Sequence, residues 1–158
     1  MLEIKVRYFI YLETASQFPS AKVVTLTNDH YLDFETFWLR CFPNYQGDWL
    51  QDYFDDMVMH HFCVGVYVDG MIVSCTDAAS MPYMADKCQE IGINTWEKYR
   101  GMGYGFMACQ KAATNIVNGG RYPIWSHNIA NKASQRIAQR VGFVKLADVL
   151  TMNLGEKQ

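Results

Sequence analysis

Residues 90–105 read Glu90-Ile-Gly-Ile-Asn-Thr-Trp-Glu-Lys-Tyr-Arg-Gly-Met-Gly-Tyr-Gly105, and this stretch decides the fold. An apolar, strand-like segment ends, and a loop with glycines at every second position leads into a helix. Glycine lets backbone approach a ligand closely and takes φ > 0 without steric cost. The first N–H groups of a helix lack internal acceptors and lie at the positive end of its dipole. Together these features make a phosphate cradle, with Arg100 as a fixed cation beside it. Other glycine loops do not match. The spacing is G-x-G-x-G rather than G-x-G-x-x-G, and no G-x-x-x-x-G-K-[ST] occurs. A plain turn, whose glycines only permit tight strand–helix packing, is the other reading of the same residues.

Outward from the loop, apolar periodicity predicts a strand over about 88–95 and a helix over 103–118 closed by Gly119-Gly120. A strand over 122–126 follows, then a helix over 131–141 ended by Gly142, and one or two closing strands over 143–154. Upstream, 62–68 and 71–76 flank Asp69-Gly70, the clearest hairpin signal in the chain. Helices are expected from the Thr27–Asp29 cap region to about Cys41, and from Asp48 to about His60. Residues 2–13 alternate as a strand, and Lys22–Thr27 is a short β-branched run. The order is strand, two helices, three strands, helix, strand, helix, strand. No repeat or linker interrupts it, so 1–158 reads as a single α+β domain.

Composition narrows the function classes. The chain has 158 residues, enough for a real core, with 50% apolar and 19% charged residues. A net charge of −2 gives no basic surplus that would favour nucleic acid or an anionic membrane. No apolar run approaches a membrane span, and the first residues carry no secretory pattern. Five cysteines, an odd count with no C-x-x-C pair, read as reduced thiols of a cytoplasmic protein. His60-His61 has no third ligand at a convincing spacing, so no metal site is expected.

Arg100-Gly101-Met102-Gly103-Tyr104-Gly105 resembles the R/Q-x-x-G-x-G/A signature of the GNAT superfamily of N-acetyltransferases. A second block, Asn131-Lys-Ala-Ser-Gln-Arg-Ile-Ala-Gln-Arg-Val-Gly-Phe143, is similar to that family's N-x-x-[AS]…G-F segment at the family's spacing. The resemblance covers roughly Lys22 to Phe143, with residues 1–21 as an N-terminal extension strand. It implies a GNAT-like α+β fold, a mixed, mostly antiparallel twisted sheet flanked by helices, with splayed central strands. It also implies acetyl-CoA as cosubstrate, with its pantetheine arm lying between those strands.

Carried onto this sequence, backbone groups of Ile93, Asn94 and Thr95 would bond the arm. Arg100, Gly101, Met102, Gly103, Tyr104 and Gly105 would hold the pyrophosphate. A backbone N–H near Ile93 or Asn94 would polarise the thioester carbonyl. Asn131 reads both as a helix cap and as a contact to the coenzyme, with Ser134 nearby. The implied reaction is direct attack by a primary amine of a small molecule or peptide in a ternary complex.

Glu90 is the candidate base, sharing a strand face with Gly92 and Asn94, where the small Gly92 would leave room for substrate. An exposed strand-end carboxylate is its other reading. Tyr45, Tyr83 and His127 are candidate acceptor-site residues. Ala138 stands where many family members carry a Tyr that protonates the departing thiolate, which leaves water, His127 or Tyr104 for that task. The same departure motivates the alternative of an acyl-CoA-binding domain without catalysis. The apolar N-terminal strand is also expected to offer an edge for a homodimer.

Overall fold

The computed structural model describes residues 2–10, 21–77, 84 and 86–152. Its strands are β1 (Leu2–Ile10), β2 (Lys22–Thr25), β3 (Val64–Val68), β4 (Met71–Asp77), β5 (Cys88–Glu90), β6 (Gly92–Thr95), β7 (Tyr122–Asn128) and β8 (Phe143–Met152). Its helices are α1 (Tyr31–Cys41), α2 (Leu50–Met59), α3 (Tyr104–Asn118) and α4 (Lys132–Val141). Two four-stranded sheets form, in the orders β2-β3-β4-β6 and β5-β7-β1-β8. Every pairing is antiparallel except β5 with β7.

Local chemistry explains most boundaries. The β3–β4 hairpin turns through Asp69 at φ 50° and Gly70 at φ 75°, the left-handed pair that matches strand twist. Gly142 ends α4 at φ 106°, its N–H donating to the carbonyls of Ala138 and Gln139. Before α1, the expected cap region forms a short 3-10 turn over 28–30, with Thr27 and His30 bonded reciprocally.

The core is built on α3, whose Ala108, Cys109, Ala112 and Ala113 are fully buried. Such small side chains let the helix lie close on β3 and β4. Across the domain, the tilted rings of Phe34 of α1 and Phe54 of α2 pack with centroids 4.8 Å apart. Trp125 of β7 packs on Phe143 of β8 at 5.5 Å.

Two expectations need correction. The single strand over 88–95 is two strands that belong to different sheets, because the chain turns out of one sheet at the buried Ile91. The N-terminal strand offers no free edge. It lies between β7 and β8, with Lys5 opposite both Asn128 and Val149, so neither of its edges is open to a second subunit.

Candidate active site

The break at Ile91 creates the site. Up to Glu90, opposite Ile124, β5 runs parallel with β7, and the Ile91 N–H donates to the Ile124 carbonyl at 3.0 Å. From Gly92 onward the chain pairs with β4 instead, which leaves β6 as a sheet edge. In an antiparallel pair, residues alternately turn both backbone polar groups toward the neighbour and away from it. The Trp96 N–H donates to Val73 O at 2.9 Å, so Asn94 and Gly92 also turn toward β4. Ile93 and Thr95 therefore turn their N–H and C=O groups the other way, toward the β7 side, as Ile91 does. The Thr95 carbonyl already accepts from Arg100 Nε at 3.2 Å. Of the two residues expected to supply an N–H to the thioester, Ile93 is the one directed into the gap.

The loop after β6 delivers the helix start to the same place. Residues 97–99 form a 3-10 turn and Arg100 is extended. Gly101 at φ 79° and Gly103 at φ 87° then reverse the chain into α3. The Met107 N–H reaches Gly103 O at 3.2 Å, so the N–H groups of Tyr104, Gly105 and Phe106 have no acceptor within the helix. A side chain at Gly101 would meet open space. At Gly105 a Cβ would stand 3.3 Å from Thr95 Oγ1 and 3.4 Å from Ile93 and Ile137, so here glycine serves close packing. Cations gather around the loop. The Arg140 guanidinium lies 4.4 Å over the Phe106 ring, and Arg40 and Lys98 lie over Trp96 at 5.1 and 5.9 Å. Free N–H donors, a helix dipole and nearby cations suit a diphosphate.

A polar cluster occupies the other face of β6, where Gly92 and Asn94 turn away from α3. Glu90 accepts a hydrogen bond from the Ser126 hydroxyl of β7. Asn94 Nδ2 donates to Asp77 Oδ2 at 2.7 Å. Asp77 stands directly opposite Gly92, where a Cβ would collide with Asp77 Oδ1 and lie 3.1 Å from its Cγ. The room expected beside Glu90 is thus filled by a second carboxylate. Burial raises the Asp77 carboxyl from 3.8 to about 6; the Asn94 bond and its own backbone N–H oppose the rise, and the charge of Glu90 adds to it.

A family model described as GNAT acetyltransferase matches residues 19–148. The chain belongs to the GNAT acetyltransferase family. No curated protein matches it. Solved structures share the fold at low identity. A GNAT-family acetyltransferase from Colwellia psychrerythraea is 16% identical with a TM-score of 0.74, the match covering 95% of this chain and 55% of that one. The chain thus spans little more than half the length of that relative. The Salmonella typhimurium protein yncA, solved with its cofactor acetyl-CoA, is 10% identical with a TM-score of 0.65 over 82% of each chain. AAC(6')-Iy, in complex with the bisubstrate analogue CoA-S-monomethyl-acetylneamine, is 14% identical with a TM-score of 0.67, covering 89% of this chain and 99% of that one.

Within this GNAT domain the remaining candidates are distributed unevenly. Asn131 caps α4, its Oδ1 accepting from the Ser134 N–H at 3.1 Å. The Ser134 hydroxyl accepts from the buried Trp125 Nε1 at 2.9 Å. Met102 is exposed, and the Tyr104 ring lies 6.2 Å from that of Tyr99. His127 is not a loop residue, because β7 continues through it and buries it, with Nδ1 at 2.9 Å from Asn128 O. Tyr45 packs edge-on against Trp49 at 5.3 Å, and its buried hydroxyl has no hydrogen-bond partner among the described residues. Ala138 is fully buried. Tyr83 lies outside the described residues. Sequence reasoning missed Asp77, whose only local signal was a carboxylate ending a strand.

Proposed function

We propose that this chain transfers an acetyl group from acetyl-CoA to a primary amine of a small molecule or peptide, by direct attack in a ternary complex. The observation that carries the reading is the edge of β6, which no strand among the described residues pairs, beside an open helix start. Acetyl-CoA supplies an activated acyl thioester when bound. Around it, the N–H groups of Gly101, Met102, Gly103, Tyr104 and Gly105, with Arg100, hold the diphosphate. Ile93 and Thr95 bond the pantetheine arm from the β6 edge, and Asn131 and Ser134 meet it from α4. The Ile93 N–H, directed into the gap, would meet the thioester oxygen of a bound acetyl-CoA and stabilise the charge that grows there. Asn94 acts from the opposite side, through its side chain. The acceptor amine is held beside the carboxylate pair of Glu90 and Asp77, which receives its proton. Tyr45, Tyr83 and His127 are proposed to shape the acceptor pocket.

Two solved relatives of this fold, yncA with acetyl-CoA and AAC(6')-Iy with a bisubstrate analogue, support the cosubstrate. Isothermal titration with acetyl-CoA tests it, and binding that coenzyme A competes for and ATP does not is the expected outcome. Absence of heat from folded protein would overturn the reading.

A second reading, binding of an acyl-CoA without transfer, has the buried Ala138 in its favour, since no hydroxyl stands there to protonate a thiolate. Thiol release on adding amines separates the two. The first reading also implies a cytoplasmic protein, consistent with its free cysteines. Among the described residues no helix is long and apolar enough to cross a membrane. A homodimer would use the β8 edge, where Val144 and Leu146 are exposed, rather than β1.

A further inference from the structure

We propose that Asp77 is the group that takes the proton from the attacking amine, its carboxylate held over Gly92 by Asn94 at the mouth of the gap. The inference rests on the acetyl-transfer reading above and deepens it. Three features of the molecule support it. Asp77 ends β4 directly opposite Gly92, the first residue after the chain leaves β7, so its carboxylate sits at the divergence of the strands. Gly92 is the residue type that this packing requires, because any Cβ there would occupy the position of Oδ1. Asn94 fixes Oδ2 at 2.7 Å and thereby the plane of the carboxyl group. Glu90, in contrast, is engaged by the Ser126 hydroxyl on the β7 wall.

The surroundings suit a base. Among the described residues, Glu90 on β5, Cys75 on its own strand and Cys109 on α3 interact electrostatically with Asp77. Burial and the negative charge of Glu90 bring the carboxyl to about 6, with Asn94 restraining the rise. Asp77 is therefore ionised at neutral pH yet basic enough to take a proton usefully.

In the step itself, the acceptor arrives as an ammonium ion and gives one N–H proton to the Asp77 carboxylate. The freed lone pair forms the C–N bond at the thioester carbonyl carbon, and the C–S bond breaks with its electron pair on sulfur. A second proton leaves the new amide nitrogen and reaches the thiolate through water. Asp77 then returns its proton to solvent, so one proton is released per acetyl group transferred.

The experiment compares wild type with Asp77→Asn, Glu90→Gln and Gly92→Ala, with acetyl-CoA titration on each. With aspartate labelled at Cγ, a carboxyl resonance absent from Asp77→Asn should titrate near pH 6 and move to lower pH in Glu90→Gln. In acetyl-CoA turnover with butylamine as probe amine, Asp77→Asn should lose on the order of 100-fold or more in kcat. Its acetyl-CoA affinity should stay within about twofold, and the acid limb of the pH profile should move down in Glu90→Gln. Gly92→Ala should lose turnover in the same way by displacing the carboxylate. An Asp77 resonance with an ordinary carboxylate midpoint, or an acid limb retained in Asp77→Asn and abolished in Glu90→Gln, would overturn the proposal. A wild type that binds no acetyl-CoA sinks the acetyl-transfer reading itself, a distinct failure.

Discussion

The Ile91 N–H meets the Ile124 carbonyl at 3.0 Å, and among the described residues it is the last backbone bond between the segment over 88–95 and β7. Beyond it, alternate residues of β6 face either β4 or the gap, and that difference can be tested with proline.

Ile93→Pro removes an N–H that points into the gap, on an edge strand where proline is tolerated. The fold should survive, while acetyl transfer falls by about 100-fold or more through loss of one carbonyl-polarising donor. Asn94→Pro removes an N–H turned toward β4 and should instead lower the melting temperature clearly. Circular-dichroism melts beside thiol-release kinetics check both. A larger loss of stability in Ile93→Pro than in Asn94→Pro would mean that the alternation has been assigned the wrong way round.

Gly103 sits at φ 87° at the N-cap of α3. Gly103→Ala should cost about 1 kcal/mol of stability from the left-handed backbone alone. It should also weaken acetyl-CoA binding, because the N–H groups it aims would tilt. Denaturant unfolding and calorimetric titration read the two effects separately.

Asp77 carries a pH-dependent stability term. Its carboxyl titrates at about 6 in the folded chain against 3.8 as its ordinary value, so folding favours the protonated form. The associated stability is fully present below the unfolded value and is lost as pH rises through the folded one. At pH 8 the charged carboxylate is buried at a cost, and Asp77→Asn should be more stable than wild type. Roughly two pH units, at about 1.4 kcal/mol each, set a ceiling of about 3 kcal/mol. Below about pH 4 the difference should vanish. Urea melts across that range would reject the idea if the two proteins ran in parallel.

Ser134→Ala strips Trp125 Nε1, in a residue only 1% exposed, of its acceptor. A buried donor left unpaired costs about 1–3 kcal/mol, which urea melts can measure. Ser134→Thr, which keeps the hydroxyl, should recover most of it.

Elements held by local chemistry were legible in the chain. Asp69-Gly70 marked the hairpin, Gly142 the end of α4 and Asn131 its start, because turns and caps depend on a few neighbouring residues. The glycine loop was legible for the same reason. The break at Ile91 was not, since alternation reports which face a residue takes and not which sheet it joins. Asp77 was hidden for a related reason. Its place beside Gly92 and Asn94 comes from the β4–β6 register, a pairing of distant segments that no local pattern announces. The same distance concealed that β1 fills the middle of a sheet.

That position of β1 bears on how the protein is made. Leu2 pairs with Met152, and Lys5 with both Asn128 and Val149, so β1 must wait for β7 and β8, synthesised more than a hundred residues later. Non-local pairing of this kind is slow and leaves strand edges uncovered in the meantime. During translation the α3 half, with its helix start, can assemble well before the β7 wall has its neighbours. Coenzyme affinity should therefore appear in a nascent chain only once β8 has emerged, and a truncation within β8 should abolish it without touching a single residue of the glycine loop.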